Sequence, residues 1–172
     1  MIEKNDLGNI CHEHIEFYSL KSLKFLFEKN GLEIFKLEEN DINGGSYRIY
    51  CRKFNKGSIK LKNEDVLKLM EGFIKRVKKN KKITMNFINE KIKAGKKIYL
   101  YGASTKGNTV LQYYGINNKM IDCAAERSPE KWGKYTIGTG IKIVSEKIAR
   151  KLNPDFFFVT PWGFIKEFII RE

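Results

Sequence analysis

The feature that most constrains the fold is an alternation of apolar and amphipathic segments that begins after Gly95. Residues 97–101 are predicted to form a buried strand, 102–107 a tight loop and 108–114 a helix. Three further strands and one helix are predicted downstream: strands at 121–126, 141–144 and 155–160, and a helix capped by Ser145. Strands that alternate with helices favour a parallel sheet with right-handed crossovers. The pattern therefore predicts an α/β fold, with a small Rossmann-like domain at residues 96–172.

Residues 1–62 follow a different pattern. One short amphipathic helix is predicted after Ser19, which stands where an N-cap residue would. Alternating apolar residues predict strands at 32–37 and 47–51, and turn-forming residues at 40–45 predict a hairpin with a long loop between them. One helix and one hairpin bury too little apolar surface to close a core. This segment is therefore predicted to be the end of a larger domain.

A long helix at residues 63–95 is predicted to link these two regions, with Lys81-Lys82 as a candidate break point. At 1.5 Å per residue it would be a rod of about 48 Å. Between Lys53 and Lys97 the chain has fifteen basic and four acidic residues, so most of the net charge of +13 lies there. This charge is interpreted either as a solvated helix face or as a surface for an anionic partner.

The kind of basic residue argues against nucleic-acid recognition. The chain has 27 lysines and 6 arginines, whereas arginine is the residue that makes forked contacts with phosphates and base edges. Cys11, Cys51 and Cys123 are far apart and predict neither a disulfide framework nor a zinc site, which fits a reducing cytosol. No apolar run approaches the roughly 20 residues of a membrane-spanning helix. A cytoplasmic protein without a membrane partner is therefore expected.

The loop between the first predicted strand and helix of residues 96–172 is a candidate anion site. Backbone N–H groups and the positive end of a helix dipole meet at such a position. The loop consists of Gly102, Ala103, Ser104, Thr105, Lys106 and Gly107. It matches neither the dinucleotide nor the nucleoside-triphosphate glycine pattern. A purely structural turn is therefore the alternative to a phosphate or carboxylate site.

Four further residues are candidates for ligand contacts. Glu126 ends the next predicted strand, from which an acidic side chain can reach a ribose hydroxyl in folds of this type. Arg127 and Lys134 could face a diphosphate, or be isolated surface cations. Trp162 follows the last predicted strand, where ligand contacts occur in this architecture, although core packing is the more common role of a single tryptophan.

The segment His12-Glu13-His14 contains both histidines of the chain. In an extended backbone His12 and His14 would point one way and Glu13 the other. A histidine titrates near neutrality and is a natural acceptor of a proton from a carbon acid. Three interpretations remain at this point: proton transfer, a metal site completed by other ligands, or a structural role.

Six blocks of residues in a fixed order resemble one family. They include His12-Glu13-His14 with Tyr18-Ser19-Leu20, then the loop from Gly102 to Asn108, Glu126-Arg127-Ser128-Pro129, Gly133-Lys134-Tyr135-Thr136 and Pro161-Trp162-Gly163-Phe164. In these blocks the chain is similar to the C-terminal part of the S-adenosylmethionine-dependent C-methyltransferases that act on nucleotide-linked keto-deoxysugars.

The resemblance implies specific roles. His14 would be the general base that removes the proton alpha to the sugar ketone, with Glu13 and His12 setting its orientation and charge. The resulting enolate would attack the methyl group of S-adenosylmethionine. The loop with Asn108, together with Glu126, Arg127, Lys134 and Trp162, would bind the nucleotide-diphosphate sugar, and no metal is implied.

The resemblance also implies a domain organisation. Residues 1–62 would be the C-terminal remnant of the S-adenosylmethionine-binding domain, 63–95 the linking helix and 96–172 the sugar-nucleotide-binding domain. The chain is accordingly expected to be a fragment or a split subunit, inactive alone and completed by a chain that supplies the missing methyltransferase domain. The alternative is a non-catalytic module that binds nucleotide-sugars.

Overall fold

The computed structural model describes residues 1–40 and 45–172. Within this part of the chain, contacts divide the molecule into two compact units. The first unit consists of residues 1–6 and 12–76, and the second of residues 7–11 and 77–172. The domain boundaries expected near residues 62 and 95 stay predictions.

The first unit contains one complete helix, one hairpin and the start of the long helix that continues into the second unit. Helix α1 (Leu20–Lys29) begins at Ser19, whose side chain and that of Ser22 each accept the other residue's backbone N–H in a capping box. Strands β1 (Leu32–Asn40) and β2 (Ser46–Lys53) pair in antiparallel fashion, with a bulge between Ile34 and Lys36. The loop predicted at 40–45 falls largely on residues 41–44, which lie outside the described residues.

A buried carboxylate organises the open end of this hairpin. Glu33 accepts hydrogen bonds from Arg52 Nε at 2.6 Å and from the backbone N–H groups of Asn55, Lys56 and Gly57 at 3.0, 2.8 and 2.5 Å. The amide of Asn55 makes the largest contribution, and these bonds outweigh burial and lower the pKa of Glu33 to about 2. The side chain is fully buried, so its charge is held by partners within the hairpin.

Helix α2 (Val66–Lys93) is continuous, so the candidate break at Lys81-Lys82 is wrong. Its 28 residues correspond to about 42 Å. Apolar residues at helical spacing, among them Phe73, Val77 and Ile88, are buried, whereas most of the lysines are exposed. The helix therefore continues through the lysine pair because its period of apolar residues continues through it.

The second unit is built on a parallel sheet, as the sequence predicted. Its four strands are β3 (Ile98–Tyr101), β4 (Cys123–Glu126), β5 (Lys142–Ser145) and β6 (Phe156–Val159). They lie in the order β5-β4-β3-β6, and every neighbouring pair is parallel. This order makes β3 and β6 neighbours, so the loops that follow them lie side by side at the carboxyl edge of the sheet, where ligands bind in open α/β folds.

Helices cover both faces of this sheet. Leu100, Ala124 and Ile143 pack on one face with Leu111 of α3 (Thr105–Tyr114) and Ile88 of α2. The opposite face is covered by α4, Glu146–Lys151, and α5, Ile165–Arg171, which follow β5 and β6 respectively. Its buried cluster consists of Tyr99, Cys123, Ala125 and Ala149. The predicted α/β Rossmann-like architecture is confirmed.

Candidate functional site

The loop after β3 is shaped by close packing at its first glycine. Gly102 has a φ of +84°, and its N–H donates to the Ala125 carbonyl at 2.8 Å. A Cβ at this position would lie 2.8 Å from Cγ of Pro161. Both the positive φ and the approach of Pro161 therefore require glycine here.

The loop is shorter than the sequence predicted. Helix α3 begins at Thr105 rather than at Asn108, because Ser104 caps it by accepting the Gly107 N–H at 3.0 Å. Thr105, Lys106 and Gly107 thus belong to the first turn of the helix. A Cβ at Gly107 would lie 2.5 Å from Oγ1 of Thr160, so this glycine lets the start of α3 approach the end of β6.

Asn108 and Thr160 both present buried oxygens next to this approach. Oδ1 of Asn108 and Oγ1 of Thr160 have no hydrogen-bond partner in the described part of the chain. Thr160 is also buried as a residue. The backbone of Lys106 packs closely against the 3-10 turn at Leu7–Asn9. A Cβ at Gly8 in this turn would lie only 3.0 Å from the Lys106 carbonyl oxygen.

Glu126 lies at the carboxyl end of β4 with its side chain turned onto backbone N–H groups. Its Oε2 accepts from Ala103 N at 2.9 Å, and its Oε1 accepts from Arg127 N at 2.9 Å and Ser128 N at 3.1 Å. Lys131 Nζ is 3.6 Å from Oε2. Burial alone would raise the pKa of this carboxyl, but the amides and the ammonium outweigh burial and lower it.

A cleft opens at this edge of the sheet. Its volume is about 260 Å³. Gly102, Ser104, Glu126 and Arg127 of the predicted set line it. The other lining residues are Tyr101, Ala125, Lys131, Glu146, Pro161, Phe164, Glu167 and Phe168. The cleft therefore combines an aromatic wall with two cations and three carboxylates.

Seven of the eleven predicted ligand residues do not line this cleft: Ala103, Thr105, Lys106, Gly107, Asn108, Lys134 and Trp162. Lys134 is exposed, and its backbone pairs with Ile143 beside β5. Trp162 is 77% exposed, so the core-packing alternative for this residue is wrong. It lies in a 3-10 turn at Trp162–Phe164. The roles that the resemblance gives to Lys134 and Trp162 stay predictions.

Sequence reasoning missed the residues that hold the far wall of the cleft. Tyr101 donates to Glu172 Oε1 at 2.8 Å, and Arg150 Nη2 donates to Glu172 Oε1 at 2.6 Å and to the Tyr101 hydroxyl at 3.2 Å. Burial and the hydrogen bond to Glu172 raise the pKa of Tyr101. Because these residues are separated by up to 71 positions, no local pattern could have revealed the network.

His12, Glu13 and His14 belong to the first unit, and all three are exposed. His12 and Glu13 lie in a turn, so the backbone at these two residues is not the extended one for which alternating side chains were considered. The His14 ring meets Phe17 edge-on, with 6.1 Å between ring centroids. Among the described residues no three His, Cys, Asp or Glu side chains converge as metal ligands would.

Comparison with known proteins assigns the family. The family described as the C-methyltransferase C-terminal domain matches residues 41–172. The chain belongs to this family. One curated relative, the C-methyltransferase NovU of Streptomyces niveus, is 25% identical over 184 residues, covering all of this chain and 44% of NovU. The chain thus spans less than half the length of this C-methyltransferase.

The family membership confirms the resemblance stated from the sequence blocks. The description of the family and the name of this relative both refer to C-methyl transfer. Among the described residues, no helix combines the length and the apolar character that crossing a bilayer requires.

Proposed function

We propose that this chain takes part in the S-adenosylmethionine-dependent C-methylation of a nucleotide-linked keto-deoxysugar, and that its second unit binds the nucleotide-sugar. The observation that carries the proposal is the cleft at the carboxyl edge of the parallel sheet, in a chain of a C-methyltransferase family. In folds of this type ligands bind outside the carboxyl ends of the strands.

The chemistry of the cleft suits a nucleotide-sugar. Arg127 and Lys131 supply positive charge for a diphosphate, and Phe164 and Phe168 supply apolar surface for a base or a sugar ring. Repulsion between the Glu126 carboxylate and a diphosphate is reduced, because backbone N–H groups donate hydrogen bonds to both carboxylate oxygens.

His14 is proposed to be the general base, with Glu13 and His12 positioning it. Transfer of the proton from the carbon beside the sugar ketone to the imidazole leaves an enolate, which is a carbon nucleophile. A positioned base of this kind contributes about 10² to 10⁴ in rate. The exposure of the His14 side chain supports the proposal, since a substrate can reach it.

The described residues of the first unit do not fit S-adenosylmethionine. They form helix α1, the start of helix α2 and a two-stranded antiparallel sheet. This sheet has no edge of parallel strand ends to hold a nucleoside. We therefore propose that a further methyltransferase domain binds the methyl donor. Exposed apolar side chains on this unit, such as Ile15 and Phe25, support such a packing partner.

Calorimetry with the full chain tests the binding proposal. We expect binding of a nucleoside-diphosphate sugar from a panel that varies the base and the sugar, and no binding of S-adenosylhomocysteine by this chain alone. Arg127→Ala should weaken nucleotide-sugar binding by about tenfold, as loss of one charge-assisted contact does. Lys119→Ala, which removes an exposed cation remote from the cleft lining, is the matched control. A folded chain that binds no member of the panel would contradict the proposal.

Proton exchange tests the base. The α-hydrogen of a bound keto-sugar should exchange with deuterium from the solvent, measured by NMR without any methyl donor. His14→Ala should abolish this exchange while sparing nucleotide-sugar affinity, and undiminished exchange would reject the role of His14. Binding without exchange in the unmodified chain would favour a non-catalytic nucleotide-sugar-binding module.

A further inference from the structure

At the carboxyl edge of the second unit, the loop that follows β3 is hydrogen-bonded both to β4 and to the segment that follows β4. The Gly102 N–H donates to the Ala125 carbonyl at 2.8 Å, and Lys131 Nζ donates to the Ala103 carbonyl at 3.1 Å. The segment after β4 is also bonded to the end of its own strand, because the indole Nε1 of Trp132 donates to the Glu126 carbonyl at 2.8 Å. The segment that follows β4 is therefore folded back onto the loop that follows β3.

The Glu126 carboxylate lies at the centre of this junction. An ionised carboxylate offers about four acceptor sites. Three are taken by the N–H groups of Ala103, Arg127 and Ser128, and Lys131 lies against Oε2. The side chain is 13% exposed, so little of it is available for another donor.

We infer that Glu126 is a positioning residue, which joins the loop after β3 to the turn after β4, and that it does not bind the ribose of the ligand. The inference rests on the proposed function, because it is the nucleotide-sugar cleft whose shape Glu126 sets. The sequence position predicted a ribose contact, whereas the hydrogen bonds direct the carboxylate to the chain itself.

This arrangement also determines which groups remain for an anionic ligand. The Ala103 N–H is bonded to Glu126 and the Gly107 N–H to the Ser104 hydroxyl. Two of the amides expected to receive a phosphate are thus satisfied within the protein. A cleft that is held in shape before the ligand arrives loses less conformational entropy on binding. Glu126 therefore contributes to affinity without touching the ligand.

Hydrogen exchange of the ligand-free chain tests the positioning role. Glu126→Gln cannot accept from both loops, because its amide nitrogen donates. The exchange rate of the Ala103 amide, taken relative to that of the buried Leu100 amide, should rise about tenfold. Glu130→Gln removes the same charge from an exposed neighbour in the next turn and should leave the ratio unchanged. An unchanged ratio in Glu126→Gln would overturn the inference.

A second measurement needs no variant and serves if Glu126→Gln fails to fold. In the unmodified chain, the amide resonances of Ala103 and Ser128 should shift together as the pH is lowered, with one shared midpoint below the ordinary range of a glutamate. Because Ala103 and Ser128 lie on different loops, a common midpoint reports a common carboxylate. Independent or absent shifts would contradict the inference.

Binding of ribose analogues distinguishes a positioning role of Glu126 from a direct contact between Glu126 and the ribose. Calorimetry would compare one nucleoside-diphosphate sugar with its 2′-deoxy and 3′-deoxy analogues, in the unmodified chain and in Glu126→Gln. We expect Glu126→Gln to weaken all of them by the same factor, about tenfold or less. If the variant abolishes the penalty for a missing hydroxyl, Glu126 is a ribose ligand and the inference is wrong. If the unmodified chain binds none of them, the proposed function fails, while the exchange ratio still decides the role of Glu126.

Discussion

Gly107 gives the sharpest test of how the cleft edge is built. In Gly107→Ala the new Cβ would lie 2.5 Å from Thr160 Oγ1 and 3.1 Å from Ser104 Oγ. Thr160 is buried at the end of β6, so its side chain has little space into which to move. The start of α3 and the end of β6 must therefore separate to admit a methyl group.

The change in the free energy of unfolding caused by Gly107→Ala is the balance of two opposing effects. Alanine in place of glycine inside a helix stabilises by about 1 kcal/mol. Overpacking by one methyl group costs about 1 to 3 kcal/mol. The clash should outweigh the propensity, because an approach of 2.5 Å cannot be accommodated without movement. We expect Gly107→Ala to lower the free energy of unfolding by up to about 2 kcal/mol.

Urea denaturation followed by circular dichroism measures this loss. Gly163→Ala is the matched control, since a Cβ there meets no atom within 4 Å, and its effect should stay within about 0.5 kcal/mol. Thr160→Ala should rescue Gly107→Ala, with a coupling energy of about 1 kcal/mol in the double-mutant cycle. A fully stable Gly107→Ala that fails to bind nucleotide-sugars would refute the reasoning, because the glycine would then serve the ligand rather than the packing.

Three other predictions concern the second unit. Leu100→Ala should lower the free energy of unfolding by about 2 to 5 kcal/mol in urea titrations, because Leu100 is fully buried at the centre of the sheet. Ser104→Ala should cost about 1 kcal/mol in the same assay, since it removes the cap of α3, and an unchanged midpoint would contradict the capping role. The pKa of Asp155 is lowered mainly by a hydrogen bond from the Lys97 N–H and secondly by one from the Lys96 side chain. The pKa of Glu126 is lowered as well. Both carboxylates therefore stabilise the fold at pH values above the ordinary pKa of such a group. The urea midpoint should therefore fall as the pH is lowered from about 5 to about 3, and Glu126→Gln should make this dependence shallower.

The periodicity of apolar residues was sufficient to predict most secondary structure. Strands β3 to β6 are apolar runs between turn-forming residues, and a strand buried on both faces must be apolar nearly throughout. The serine caps at Ser19 and Ser145 were also local signals, because the cap bond closes within three residues. Where periodicity continued through a charged pair, as at Lys81-Lys82, the helix continued as well.

The candidate site was predictable in part. The sequence indicated the loop from Gly102 and the acidic residue at the end of β4, because both follow a strand directly. It could not indicate that the Glu126 carboxylate bonds the amide of Ala103, since the two are 23 positions apart. Lys131 was missed for the same reason. A surface lysine has no sequence signal until the fold brings a carboxylate next to it.

The sequence by itself determined the parallel α/β architecture, the starts of the helices capped by Ser19 and Ser145, and the family to which the chain belongs. Hydrophobic period and capping are local signals, and the order of the motifs is part of the amino-acid sequence itself. Only the tertiary structure decided which polar groups are left for a ligand. Hydrogen bonds between loops that are distant in sequence satisfy Glu126, and the network of Tyr101, Arg150 and Glu172 forms between residues that lie far apart in the chain. Whether a polar group binds a ligand or stabilises the fold depends on the groups that surround it in space. Those neighbours are not apparent from the order of the amino acids.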